Sequence, residues 1–438
     1  MYTIAFILGT RPEIIKTWSI IRHADQDPDI RSILIHTGQH YDYEMSQIFF
    51  EDLKIREPDV FLEAQGETHG SQTASMLVKI EDFLLKEEID VVGVLGDTNS
   101  AMAGALAARK INIPSAHFEA GCRSFDRKMP EELNRLIIDA ISSILFAPSA
   151  QAEINLLWEG KPSNRIFMCG NTQKDVINHV IQVKRDNQSV PKFESPYGVL
   201  TIHRPENTDD LERLRDIITG IKNSPIPIVF PVHPRTKKQI QLFDLSNDFH
   251  PKSKIRMIPP LGYLSFINLL KKAHLVLTDS GGVQEEAAIL NIPCITLRET
   301  SEWPETIISG KNLLVGHNSD LILNVINKLH HDIHFVKKMS KPVNLFEADA
   351  GKRIISVLKN LKAKEELRYD SINMSKTGYP IPFLASKITD LNEQEALFRT
   401  LRFKEDGNVM NSDLKFTFEL QLVKRFNKFN PITVLNKN

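Results

Sequence analysis

At 438 residues the chain is long enough for two or three domains, and with 42% hydrophobic and 25% charged residues its composition is ordinary for a globular protein. Its 54 Lys and Arg nearly cancel its 55 Asp and Glu, which excludes the basic excess of a nucleic-acid binder. Cys122, Cys169 and Cys294 stand far apart with no CxxC, which excludes a disulfide framework and a cysteine zinc site and fits a reducing cytoplasm. No apolar run approaches the roughly 18 residues of a membrane span, and the run at 4–8 is too short for a signal peptide.

In chain order, residues 3–8 read as a buried strand. Gly9-Thr10-Arg11-Pro12-Glu13 then opens a helix, with Thr10 as N-cap and Pro12 in the first turn. A second strand at 33–36 ends in Thr37-Gly38-Gln39-His40, and a helical pattern covers 73–86. Strand 91–95 ends in Gly96-Asp97-Thr98-Asn99 before an Ala-rich helix at 100–110. Strand 115–118 ends at Glu119-Ala120-Gly121, and Met129-Pro130-Glu131-Glu132 starts another helix. Strands at 144–147 and 166–168 complete this set, a first domain of residues 1–183. Residues 184–197 are polar, contain Pro191 and Pro196, and read as a linker. The alternation restarts with strand 199–202, ending in His203-Arg204-Pro205-Glu206-Asn207. It continues with strand 226–232, ending in His233-Pro234-Arg235, and with strands 255–258, 275–277 and 294–297. Strands alternating with helices predict an α/β chain of two parallel-sheet domains, the second over 198–360. The remaining residues, 361–438, differ: a charged run at 362–368, an Asp406-Gly407 turn signal, and Leu414, Phe416, Phe418, Leu420 and Leu422 at the period of a half-buried strand. No function is assigned to this extension.

The stretch Thr278-Asp279-Ser280-Gly281-Gly282-Val283-Gln284-Glu285-Glu286 carries the plainest chemistry. A strand that breaks at Ser-Gly-Gly and opens a helix aims free N–H groups at one spot, which favours phosphate. Ser280 is either the helix N-cap or a hydroxyl donor to a phosphate. Glu286 lies too far along the helix for phosphate and could accept from sugar hydroxyls. Taken alone, the turn is equally an ordinary tight βα connection. In open α/β sheets ligands bind at the carboxyl ends of strands, so two sheets facing each other make a cleft. The acids and bases Asp97, Glu119, Glu131 and His203 all follow strands or open helices. Glu131 and Arg135, four apart on one helix face, form by themselves no more than a surface ion pair. Arg11 and Lys16 share one strand–helix junction and make a cationic corner. His117 and Glu119 are an ordinary strand spacing, and no metal is expected. No GxGxxG occurs, so no dinucleotide cofactor is expected.

Gly9-Thr10-Arg11-Pro12-Glu13, His36-Thr37-Gly38-Gln39-His40, Gly96-Asp97-Thr98-Asn99, His117-Phe118-Glu119-Ala120-Gly121, Pro130-Glu131-Glu132-Leu133-Asn134-Arg135, His203-Arg204-Pro205-Glu206-Asn207 and the Ser-Gly-Gly stretch occur in order. Over residues 1 to 358 this set resembles the non-hydrolysing UDP-N-acetylglucosamine 2-epimerases, most of all their archaeal branch. The resemblance implies a GT-B fold of two Rossmann-like domains, commonly a homodimer, and no cofactor. It implies conversion of UDP-GlcNAc to UDP-ManNAc through elimination of UDP, a 2-acetamidoglucal intermediate and re-addition. By the same resemblance Asp97, Glu119, Glu131 and His203 are catalytic, with Arg135 adjusting Glu131. Arg11 and Lys16 contact phosphates and sugar, Ser280, Gly281, Gly282 and Glu286 bind diphosphate and ribose, and Phe266 meets the uracil. Which carboxylate takes the C2 proton stays open.

The chain also departs from the family pattern. Where many members carry Thr-Glu-Arg-Pro-Glu it has Ser301-Glu302-Trp303-Pro304-Glu305. A related branch, the epimerases of UDP-2,3-diacetamido-2,3-dideoxyglucuronate, can carry Glu-Trp there, although this chain keeps Thr10-Arg11-Pro12-Glu13. Gln39-His40-Tyr41 and Thr68-His69-Gly70 fill the region used in bacterial members for allosteric activation, so that activation is not expected. The 361–438 extension has no counterpart in the family. Three rival readings share parts of the pattern: a hydrolysing 2-epimerase, a GT-B glycosyltransferase and a silent sugar-nucleotide binder. Asp97, Glu119 and Glu131 together argue against the second and the third.

Overall fold

The computed structural model describes residues 1–39, 53–183, 193, 196–250 and 253–367. His40, Tyr41, most of the 184–197 stretch, the Asp406-Gly407 turn and the Leu414 to Leu422 alternation lie outside these residues. Two sheets are built, all of whose pairings are parallel. The first contains β1 (Tyr2–Leu8), β2 (Ile30–His36), β3 (Val60–Phe61), β4 (Val91–Leu95), β5 (Ser115–Phe118), β6 (Ile144–Ala147) and β7 (Ile166–Met168). Its order is β3-β2-β1-β4-β5-β6-β7. The second contains β8 (Gly198–Thr201), β9 (Ile228–Pro231), β10 (Ile255–Ile258), β11 (Leu275–Thr278), β12 (Cys294–Thr296) and β13 (Asn312–Leu314), in the order β10-β9-β8-β11-β12-β13. Each sheet winds outward both ways from its first strand, so a topological switch point lies between β1 and β4 in one and between β8 and β11 in the other. Ligands of open α/β sheets bind at such points. The two-sheet architecture is that of a GT-B fold.

β1 explains the layering. Ile4, Phe6 and Leu8 face one side and pack with Ile14, Trp18 and Ile21 of helix Arg11–Asp25. Ala5 and Ile7 face the other and pack with Ala101, Ala105 and Ala108 of helix Asn99–Lys110. Both faces are covered, so the strand reads as a continuous apolar run rather than an alternation. In the second sheet Leu200, Phe230 and Leu277 pack with Ile217 and Ile221 of helix Leu211–Lys222. Val199, Val229 and Val276 face Ile267 and Leu270 of helix Tyr263–Lys271, and this second core is continuous with that of the first sheet.

Two strands were not foreseen, Val60–Phe61 and Asn312–Leu314, because two or three residues carry no period to read. The expected helix at 73–86 runs instead over His69–Leu84, started by the Thr68 side chain, which accepts from Ser71 N.

The last described helix, Ala350–Ala363, follows the second sheet yet packs on helix Arg11–Asp25 of the first. The approach is close enough that a Cβ at Gly351 would lie 2.4 Å from the Ser19 carbonyl carbon. Ile354 and Leu358 are fully buried there, each stabilising by roughly 1.5–3 kcal/mol. Lys359 pairs with Asp27 at 2.7 Å and Asp29 at 3.2 Å, and Lys362 pairs with Asp90. Met1–Tyr369 is thereby one compact unit. Among the described residues no helix is long and apolar enough to cross a membrane.

Candidate active site

The glycine turn forms as its sequence demands. β11 ends at Thr278, Ser280 caps helix Gly281–Leu290, and its Oγ accepts from Val283 N at 3.5 Å. Asp279 is fully buried and ties this turn to the end of β8, accepting from the N–H groups of His203 and Arg204 and from Asn207 Nδ2. Burial works to raise Asp279, but the His203 ring and those backbone N–H groups hold it below the usual carboxylate range. The helix N-terminus and His203 are therefore placed by one buried carboxylate. His203 keeps its Nδ1 on Asp279 at 3.2 Å while 43% of its side chain is exposed.

His203 opens into a cleft of about 1080 Å³ that is also lined by Asp97, Glu131, Asn134 and Arg204. Three of the four expected acid–base groups thus share one cleft. Asp97 follows β4 and pairs with Arg135 Nη2. The fourth, Glu119, follows β5 and lies beside rather than among them. Its backbone is left-handed, with φ +68°, an uncommon state for a residue with a side chain. The hydrogen bond from Ala120 N to Phe146 O pins the strained peptide to the sheet. Its carboxylate receives Lys16 Nζ at 2.7 and 2.9 Å.

The expected partnership of Glu131 with Arg135 is corrected by the structure. Arg135 is buried and donates to Glu132 at 2.7 Å as well as to Asp97. Glu131, more exposed in the first turn of helix Pro130–Ile141, is met from the second sheet by Arg204 at 3.1 Å. Lys16 is likewise not an open cation. Its Nζ lies between Glu119 and Glu285, 2.9 Å from the latter, and 5.5 Å from the Trp303 ring. Arg11, partly exposed, opens the same helix one turn earlier.

Gly281 sits against this group, since a Cβ there would lie 3.0 Å from Glu302 Oε2 and 3.9 Å from Trp303 Nε1. Gly282 faces more open space, with only Ser280 Oγ near at 3.9 Å. Glu286 is buried and accepts from Gln173 Nε2 at 2.9 Å. Burial, then the Glu285 carboxylate, pushes it up to about 8. Phe266 packs half-buried on the core around Ile267 and Leu270. Both ring nitrogens of His117 are bonded, to Asp139 at 2.6 Å and to the Gly96 carbonyl at 2.7 Å.

Sequence reasoning named Arg135 but passed over Arg204 and Arg298 as site residues. Glu302, buried, receives Arg298 at 2.9 and 3.0 Å and lies 3.5 Å from Arg135 and 3.7 Å from Arg204. Burial alone would raise Glu302, yet Arg135, Arg298 and Arg204 hold it at about 2. Arg298 stands two residues past the end of β12, so the strand-end rule that picked out Asp97 and His203 applies to it as well.

Residues 22–359 match the family model described as UDP-N-acetylglucosamine 2-epimerase. A UDP-N-acetylglucosamine 2-epimerase of Methanocaldococcus jannaschii is 46% identical over 365 residues, 81% of this chain and 98% of that protein. A UDP-2,3-diacetamido-2,3-dideoxy-D-glucuronate 2-epimerase of Pseudomonas aeruginosa is 43% identical over 323 residues, 72% of this chain and 89% of that one. The crystal structure of the M. jannaschii UDP-GlcNAc 2-epimerase in complex with UDP-GlcNAc and UDP superposes with a TM-score of 0.74 at 45% identity, covering 82% of this chain and 99% of the other. With most of its length matched in sequence and in fold, the chain belongs to the UDP-N-acetylglucosamine 2-epimerase family.

Proposed function

We propose that the chain interconverts UDP-N-acetylglucosamine and UDP-N-acetylmannosamine by eliminating UDP and adding it back through a 2-acetamidoglucal. The observation that carries this reading is the cleft in which Asp97, Glu131 and His203 meet, with Glu119 on Lys16 beside it. A base takes the C2 proton, the C1–O bond to the β-phosphate breaks, and a C1=C2 double bond forms. In the reverse sense UDP returns to C1 and a proton is delivered to the other face of C2. Two acid–base groups on opposite sides of the sugar serve this chemistry. In this reading Glu119 and Asp97 are those groups, with Glu131 and His203 completing the set. Arg135 holds Asp97, and Arg204 holds Glu131 from across the cleft. The leaving diphosphate is stabilised by the N–H groups at Gly281 and Gly282 and by Arg11 and Lys16, and Glu286 and Phe266 take the ribose and the uracil.

The test is incubation with UDP-GlcNAc in D₂O. UDP-ManNAc deuterated at C2 is expected. Free ManNAc with UDP would point to hydrolysis, and no exchange at C2 would sink the reading. A second reading keeps the chemistry and changes the sugar. It is motivated by Trp303 in the family's arginine position and by the 43% identity to the P. aeruginosa enzyme. The same assay with UDP-2,3-diacetamido-2,3-dideoxyglucuronate separates the two by kcat/KM.

The phosphate site has its own probe. Gly281→Val would collide with Glu302, whereas Gly282→Val projects into free space at the helix N-terminus. It is expected to weaken UDP by about tenfold or more, roughly 1.4 kcal/mol, with little change in melting temperature. Unchanged UDP affinity by calorimetry in the folded variant would place the diphosphate elsewhere.

A further inference from the structure

Among the described residues Lys16 is the cation that pairs with Glu119, and Glu119 does not have it alone. The ammonium is shared with Glu285, which comes from the helix that the Ser-Gly-Gly turn opens. Glu285 is completely buried, while 10% of the Lys16 side chain and 16% of the Glu119 side chain are exposed, so of the three only the last two open toward solvent. Nothing about Glu285 is loose. Its other oxygen receives Asn171 Nδ2. Asn171 in turn caps helix Thr172–Val180 through Lys174 N, and its own N–H is held by the Glu347 carbonyl. A carboxylate fixed this firmly, 166 residues from Glu119 in the chain and on the other sheet's helix, has no task in the proton transfer as derived above.

We infer that Glu285 is a positioning residue that acts on Glu119 through Lys16, so that the acid–base group of the first sheet reaches its working state only when the helix of the second sheet is docked against it. This rests on the reading of Glu119 as an acid–base group of a C2 epimerisation. One ammonium cannot neutralise two carboxylates. Glu285 fixes the ammonium, and the ammonium fixes the Glu119 carboxylate.

The groups that face this chain of charges are few. They are Lys16 on helix Arg11–Asp25, Glu119 after β5, and Glu286 beside Glu285 on the same helix. Tyr263, at the start of helix Tyr263–Lys271, and Cys122, just past Glu119, complete the set. The balance among them supports the geometry. Burial works against the Lys16 charge, but Glu119 and Glu285 hold it above the ordinary lysine range. Burial pushes Glu285 up to about 7, with Lys16 opposing and Glu119 adding to the rise.

Glu285→Gln tests the inference. The amide keeps the size of the side chain and an acceptor for Lys16 or Asn171, but it removes the charge. Glu119 then gains the whole of Lys16 and loses its like-charged neighbour. With the ammonium no longer held by a second carboxylate, kcat for C2 epimerisation is expected to fall about tenfold. UDP affinity is expected to fall less, by about threefold at most, because the N–H groups at Gly281 and Gly282 and Arg11 still serve the diphosphate. Glu285→Asp, which shortens the side chain but restores the charge, should bring kcat back toward the wild-type value. A kcat that stays at the wild-type value in Glu285→Gln while the melting temperature falls would make Glu285 a purely structural group and overturn the inference. So would an equal loss of kcat in both variants. If wild-type enzyme exchanges no C2 proton at all, it is the reading of the reaction that fails, and that is seen before any variant is made.

Discussion

Glu119→Gln is expected to lose roughly 10²- to 10⁴-fold in turnover while fold and UDP binding survive, the usual size of a general acid–base contribution. The structure makes this a clean substitution. The amide is isosteric, the left-handed backbone at φ +68° carries the same strain in either residue, and Lys16 keeps Glu285 as a counter-charge at 2.9 Å. No buried cation is orphaned, so the loss should appear in chemistry and not in melting temperature. The strain itself points the same way. A non-glycine residue held at positive φ costs on the order of 1–3 kcal/mol and persists where the surroundings over-determine it. Here the peptide that follows is tied to β6 and the side chain to Lys16, so the carboxylate has one position available. C2–H exchange with D₂O is the measurement to make. A variant that exchanges the proton but cannot epimerise has lost only the second step. Near-normal exchange and near-normal turnover together would remove Glu119 from the reaction.

The strands themselves were legible because both faces of each sheet are covered. Residues 4–8, 91–95 and 275–277 are therefore apolar runs, and each ends on polar residues of the candidate site. That is why Asp97, Glu119, His203 and Ser280 could be named from the sequence and why they stand at strand ends in the structure. Partner choice was not legible. Glu131 and Arg135 have the spacing of a helix pair, yet Glu132 at the shorter spacing and Asp97 from another strand take the guanidinium. The reason is burial. Arg135 points inward, where an unpaired cation is expensive, and Glu131 lies in the more exposed first turn, free to meet Arg204. Lys16 shows the same limit: its charge can be read from the sequence, but Glu285, 269 residues away, cannot be found as its partner without the fold. Trp303 was visible as a departure from the family pattern. That it is 2% exposed, edge-on to Phe346 at 5.4 Å and 5.5 Å from Lys16 follows only from packing.

Glu302→Ala should destabilise the protein by about 3–5 kcal/mol, the cost of leaving buried ionic groups unpaired. Glu302 is the common counter-charge of Arg298, Arg135 and Arg204, which come from both sheets and converge within 3.7 Å of it. Asp97, Glu131, Glu132 and Glu206 still touch single members of the cluster, so the three cations are not stripped bare, but none of these carboxylates spans all three. The loss should depend on pH in a defined direction. In the folded protein Glu302 sits at about 2 against an ordinary value of 4.5. A carboxylate depressed in this way contributes stability that is fully present above about 4.5 and is lost as pH falls toward 2. Wild type and variant should therefore differ most near neutrality and converge at low pH, measured by urea unfolding midpoints across that range. A difference below about 1 kcal/mol that stays flat with pH would mean that the remaining carboxylates already satisfy the arginines. Activity should fall along with stability, because Arg135 and Arg204 are the groups that aim Asp97 and Glu131 into the cleft. Without their shared anchor both guanidiniums lose the orientation on which those two carboxylates depend. That joint loss separates Glu302 from Glu119, whose replacement should leave the unfolding midpoint near wild type.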